Sequence, residues 1–432
     1  MDYLVGIKIG KINEQEETSA TKRSKKRWLW LSMAINIGIL GFFKYCNFFV
    51  DSFISLFASF GITLPAFTLQ IILPVGISFY TFQTMSYTID IYKRKMKPTN
   101  DWVQFFAFVS FFPLLVAGPI ERAANLLPQF ETLKKPNYNR FRDGMLQIAW
   151  GFFKKLMLAD RLAVFVDSSF GNMANANGLP MLLGVIFFAF QLYLDFSAYS
   201  NIAIGTAKLF GFDAMTNFKR PYLSSSFGNF WKRWHISLSS WFQDYVYIPL
   251  GGNRKGKRRT VINVLIVFAV SGLWHGASWN FVIWGTLNAL FMILLDPLLS
   301  LTKNKLTEKD NTFIRVLKSV LITACWAFSL SFFRAKGFDA AIDCIRNLGF
   351  ANSAEIINFG LNAVELKLSF LLLAILLLQE ILWENKSEKI STIFYKTPAI
   401  FRWTFYIVLV LSIVYFGQYG GENENAFIYF QF

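Results

Sequence analysis

Two histidines occur among the 432 residues, and each stands directly after a tryptophan, as Trp234–His235 and Trp274–His275. Both fall in residues 230–284, together with Trp231, Trp241, Trp279 and Trp284, so six of the thirteen tryptophans share this stretch. Imidazole, with an unperturbed pKa of roughly 6.5, is the side chain best matched to moving a proton near neutral pH. His275 closes an apolar run, residues 261–274, whose only polar members are Asn263 and Ser271. That predicts a position at membrane depth, where an ionisable group is costly and is by default a functional hypothesis. A neutral, partly desolvated His275 has the character of a general base. A plain hydrogen bond to a neighbouring helix competes with that reading. The flanking Gly272 and Gly276 favour the functional one, because they let another backbone or a ligand come close. His235 is set among Lys232, Arg233 and Trp234, which predicts a snorkelling segment at a membrane interface.

The elements that must position these residues are apolar helices. With 54% hydrophobic and 18% aromatic residues and a mean hydropathy of +0.39, the composition is that of a polytopic membrane protein. The formal charge of +16 sits in short loops between apolar segments, so it marks topology and not a nucleic-acid partner. Cys46, Cys325 and Cys344 have neither disulfide nor metal spacing. Residues 1–27 read as a cytoplasmic segment ending in a basic run, of which residues 1–10 look like the end of a helix. At about 20 residues per crossing, residues 28–49 span outward and 69–91 return. Residues 104–119, broken by Pro113 and Pro119, suit a re-entrant or broken helix. Residues 144–166 carry Lys154 and Lys155 mid-segment, which predicts an interfacial helix or a wet cavity. Residues 182–210 contain Asp195, a carboxylate that must face the interior, where it could orient a histidine or a substrate hydroxyl. Further spans are expected at 281–301, 316–333, 366–383 and 403–417, giving eight to ten segments in one membrane-embedded domain, 1–432. The basic loops at 93–97, 254–259 and 386–389 are placed in the cytoplasm and the aromatic tail, 418–432, outside.

Four blocks then carry a resemblance: WKRWHISLSSWFQDYVYIPLGGNRKG and SGLWHGASW, preceded by FFPLLVAGPIER and QLYLDFSAYSNIAIG. In this order they resemble the membrane-bound O-acyltransferase superfamily, specifically its bacterial alginate O-acetyltransferase branch, over residues 25–432. The resemblance implies an all-α, polytopic transmembrane bundle shaped as a funnelled ring, with a thin centre joining the two sides. It implies an acyl thioester donor, here acetyl-coenzyme A from the cytoplasm, and a cell-envelope polysaccharide acceptor such as alginate or peptidoglycan. An extracytoplasmic esterase-like acetyltransferase is the partner it implies. The family's catalytic histidine falls on His275 and its second signature histidine on His235. Relatives usually have Gly and Asp where this chain has Ala198 and Asn201, and they begin with about two more hydrophobic helices. D-alanyl transfer to teichoic acid shares the scaffold and is the near alternative. A proton-coupled transporter using His275 and Asp195 would show internal repeats, and none is visible.

Two further site assignments complete the reading. In the loop 249–259, Arg254, Lys255 and Arg258, with Lys257 and Arg259, could hold coenzyme A phosphates, although the positive-inside rule explains the same charges. In the tail, Phe427, Ile428, Tyr429, Phe430 and Phe432 are too apolar for a solvated terminus, which predicts burial in the outer mouth of the ring. Tyr429 matches the tyrosine of a terminal aromatic motif in this branch and in the small membrane partner of the D-alanyl system. There a tyrosine hydroxyl is thought to carry the acyl group, so the resemblance implies a covalent relay at Tyr429.

Overall fold

The structure, a computed structural model, describes residues 1–65, 69–132, 135–301, 311–384, 386–419 and 427–428. Among these the fold is all-α as expected, with a single isolated bridge between Gly178 and Leu348 in place of any strand. Six helices of the described residues are long and apolar enough to cross a membrane: Ser19–Ser59, Leu179–Leu209, Trp279–Ser300, Thr312–Arg334, Ala363–Glu384 and Ala399–Phe416. Fewer helices meet that measure than the eight to ten segments expected. Ile77–Tyr92 has only 16 residues, short of a crossing, and Lys257–His275 spends its first turn on Lys257, Arg258 and Arg259. The chain divides into two compact units, Met1–Phe141 with Thr206–Met215, and Arg142–Gly205 with Thr216–Phe432.

The first unit holds α1 (Asp2–Asn13), α2 (Ser19–Leu40), α3 (Cys46–Ser59), α4 (Ile77–Tyr92), α5 (Trp102–Val109) and α6 (Ala123–Leu126). Residues 1–10 belong to a helix that buries Val5 and Ile9 completely or nearly so. Its Asp2 carboxylate accepts from Ser32 at 2.5 Å and Asn36 at 3.0 Å, which satisfies a buried charge with donors from α2. The crossing expected from residue 28 starts earlier, at Ser19. Thr18 caps it by accepting the Thr21 N–H at 3.2 Å, so the basic run lies on the helix and not ahead of it. The return segment starts later than residue 69, because the chain around Pro74 and Gly76 is not helical. Gly76 adopts φ +76, and a Cβ there would lie 2.6 Å from the Leu115 carbonyl oxygen. Helix α5 ends at Val109 and the chain continues through Pro113 without regular helix, which bears out the broken segment.

The second unit is built on α9 (Leu179–Leu209), whose most apolar window is 72% buried against 11–50% for the other candidate spans. It is preceded by α7 (Tyr138–Phe152), a π-helical stretch Phe153–Ala159 and α8 (Asp160–Gly171). Short α10 (Phe227–Trp231) and α11 (Ile236–Phe242) follow, then α12 (Lys257–His275), α13 (Trp279–Ser300) and α14 (Thr312–Arg334). The unit continues with α15 (Phe338–Arg346), α16 (Ala363–Glu384), α17 (Ser387–Lys396) and α18 (Ala399–Phe416). Lys154 and Lys155, expected at an interface or a wet cavity, are buried, each 7% exposed. Lys155 Nζ lies 2.7 Å from Asp195 Oδ1 and 2.8 Å from Asp160 Oδ1, and Lys154 donates to Ser197 Oγ at 3.2 Å. Paired carboxylates replace the water that a buried ammonium would otherwise demand.

Candidate active site

His275 is the last residue of α12, and Ser278 starts α13 by accepting the Asn280 N–H at 3.3 Å. The turn between them is tight because the two backbones touch through glycine. A Cβ on Gly272 would lie 2.1 Å from the Phe281 carbonyl oxygen, and one on Gly285 would lie 2.2 Å from that of Phe268. The close approach read from Gly272 is therefore made by another backbone, that of α13. The imidazole of His275 is walled edge-on by Trp274, Trp284 and Phe333, with ring centroids 5.0, 5.1 and 5.7 Å away.

His235 lies inside the protein and not on its surface. It is 1% exposed and forms the N-cap of α11 in the left-handed conformation, φ 42 and ψ 55. That conformation costs a non-glycine residue roughly 1–2 kcal/mol and persists only where the surroundings over-determine it, commonly at functional sites. Here the backbone on either side is pinned, with Ile236 N–H donating to Asn217 O at 2.9 Å and Lys219 N–H to Arg233 O at 2.9 Å. The neighbouring Arg233, which had suggested an interface, is ion-paired with Glu384 of α16 at 2.6 Å, and Arg220 joins the same carboxylate at 2.7 Å. A partner so distant in sequence is invisible to a reading of local composition. Burial, and to a lesser extent His275, holds the His235 pKa well below the ordinary histidine value, so the ring is neutral at pH 7.

The fold brings the two histidines together, with ring centroids 6.4 Å apart. A direct nitrogen-to-nitrogen hydrogen bond of about 3 Å does not bridge that separation. Between them lies a cavity of about 20 Å³, closed by Leu192, Phe196, Trp234, Trp284, Trp326, Phe333 and Ile428, with room for roughly one water-sized group. The site is thus an enclosed, aromatic-walled pocket with two imidazoles on its lining, suited to proton transfer in a low dielectric.

Asp195 reaches neither histidine. Its Oδ1 takes Lys155, and its Oδ2 accepts the backbone N–H of Ile428 at 2.7 Å. That bond seats the tail residue Ile428, 2% exposed, on the histidine cavity, while Phe427 packs edge-on against Tyr199 at 4.8 Å. The burial expected of the tail holds for Ile428; Tyr429, Phe430 and Phe432 lie outside the described residues. Arg254, Lys255 and Arg258 are exposed at the opposite end of α12 from His275, about 26 Å away from Arg258 at 1.5 Å per residue. Asn217, Ser200 and Ser237 were not singled out from sequence, yet they hydrogen-bond one another behind His235. No spacing or motif marks Asn217.

Comparison with known proteins identifies the family. The model of MBOAT, the membrane-bound O-acyltransferase family, matches residues 98–331. The probable alginate O-acetylase AlgI of Pseudomonas putida is 42% identical over 295 residues, covering 68% of this chain and 59% of the relative. The peptidoglycan O-acetyltransferase of Helicobacter pylori is 33% identical over 390 residues, covering 84% of this chain and 71% of the relative. The teichoic acid D-alanyltransferase of Streptococcus thermophilus is 30% identical over 249 residues, 55% of this chain and 59% of the relative. The chain spans 59%, 57% and 55% of the length of three alginate relatives. Since the family model takes in both histidines and the Helicobacter relative matches over most of its length, this multi-pass membrane protein belongs to the membrane-bound O-acyltransferase family.

Proposed function

We propose that this chain moves an acetyl group from cytoplasmic acetyl-coenzyme A across the membrane for O-acetylation of an extracytoplasmic cell-envelope polysaccharide, alginate-like or peptidoglycan. The observation that carries this reading is the small cavity shared by His235 and His275. In the proposed step a hydroxyl oxygen attacks the thioester carbonyl while His275 takes the hydroxyl proton. The C–S bond breaks as the tetrahedral intermediate collapses, and the imidazolium returns the proton to the departing thiolate. The Trp284 indole N–H, buried without a hydrogen-bond partner among the described residues, lines the same cavity and supplies a donor for the oxyanion.

The donor's phosphates are assigned to Arg254, Lys255 and Arg258, whose exposure at the far end of α12 suits a charged headgroup with a long arm. Tyr429 is proposed as the acyl relay, passing the group to an extracytoplasmic esterase-like acetyltransferase. Similarity to the Streptococcus thermophilus D-alanyltransferase supports D-alanyl transfer as the second reading. Proteoliposomes containing the protein, supplied with [14C]acetyl-coenzyme A inside, decide between them. Label should appear on the protein or on added polymer outside, and should vanish in His275→Ala. No label from acetyl-coenzyme A, with transfer from a D-alanyl thioester, overturns acetyl transfer in favour of the second reading.

A further inference from the structure

We infer that Asn217 is a positioning residue that fixes His235 as its Nδ1–H tautomer and so presents the Nε2 lone pair to the cavity shared with His275. The argument rests on which atoms can only donate. Asn217 is 1% exposed, and its Oδ1 accepts the Ser237 backbone N–H at 3.3 Å and the Ser237 hydroxyl at 2.9 Å. A backbone N–H is never an acceptor, so this face of the amide is its oxygen. The other end agrees, since Asn217 Nδ2 donates to Ser200 Oγ on α9 at 3.1 Å. His235 Nδ1 meets the same oxygen at 3.0 Å. Two acceptors cannot share that contact, and Nδ1 therefore carries the proton.

Nε2 of the neutral ring is then an acceptor. It is buried with no hydrogen-bond partner among the described residues, and it lines the cavity where a ligand or a reacting proton would meet it. The left-handed backbone of His235 fits the same purpose, because the residue that closes back onto Asn217 must turn there. The role in transfer rests on the proposed acetyl reading; the tautomer does not.

Because the chain has two histidines, [15N]histidine labelling in nanodiscs resolves both rings, and His275→Gln assigns them. The wild type should show His235 Nδ1 as pyrrole-type and Nε2 as pyridine-type. Asn217→Asp keeps an acceptor and should preserve the pattern. Asn217→Leu should give mixed tautomers and lower kcat for labelled acetyl transfer by on the order of 10- to 100-fold, with KM for the donor nearly unchanged. A wild-type His235 protonated at Nε2 overturns the inference even if Asn217→Leu does not fold. An Asn217→Leu protein with unchanged kcat overturns the positioning role. Absence of acetyl transfer by the wild type, with the expected nitrogen pattern, overturns the acetyl reading alone.

Discussion

At the scale of single residues, the chemistry rests on two imidazoles, His235 and His275, that line one cavity with ring centroids 6.4 Å apart. Proton transfer by a positioned base contributes typically 10²- to 10⁴-fold. His275→Ala should therefore lower polysaccharide O-acetyl content in cells by about that factor, with the amount of protein in the membrane unchanged; wild-type acetyl content would remove it from the mechanism. His235→Ala removes a second imidazole from the same pocket and should lower transfer roughly tenfold or more. Retention of full activity with unchanged donor binding would make the residue structural. Tyr429→Phe keeps the ring and removes the hydroxyl. A relay loses acetylation in this variant, whereas a hydrophobic plug retains it, so polymer acetyl content separates the two.

At the scale of elements, the site depends on two packing arrangements. In the α12–α13 hairpin, a Cβ on Gly272 would sit 2.1 Å from a backbone carbonyl of α13, where no flexible side chain can give way. Gly272→Leu should displace the end of α12 that carries His275. Overpacking of this kind costs about 1–3 kcal/mol or more, seen as a lower melting temperature by fluorescence-detected size exclusion together with lost transfer. In the second arrangement, Lys155 is held between Asp160 and Asp195, and Asp195 in turn seats Ile428. Lys155→Met leaves two buried carboxylates without their cation, a change on the order of 3–5 kcal/mol. The same thermal assay should register it, and an unaltered melting temperature would mean that the lysine is not needed for the internal charge balance.

At the scale of the whole molecule, the charge map assigns the two sides of the membrane. With Cys46, Cys325 and Cys344 replaced, a single cysteine at Lys255 should react with a maleimide from the cytoplasm, and one at Tyr419 from outside. External labelling at Lys255 would invert the assignment. What the sequence by itself determined was the helical class, since runs of apolar residues in a bilayer have only the helix to satisfy their backbone groups. It also located both ends of the helices expected from residues 182, 281, 316, 366 and 403 within four residues, the break at Pro113, and His275 as the group needing explanation. Only the tertiary structure decided which polar residues meet. Asn217 reaches His235 by returning beside it as an irregular segment, Glu384 pairs with Arg233 from another helix, and Asp195 turns to Lys155 and Ile428 instead of to a histidine. Hydrophobic periodicity reports the local environment of each helix face, whereas hydrogen bonds between segments far apart in the chain are set by packing that no local pattern encodes.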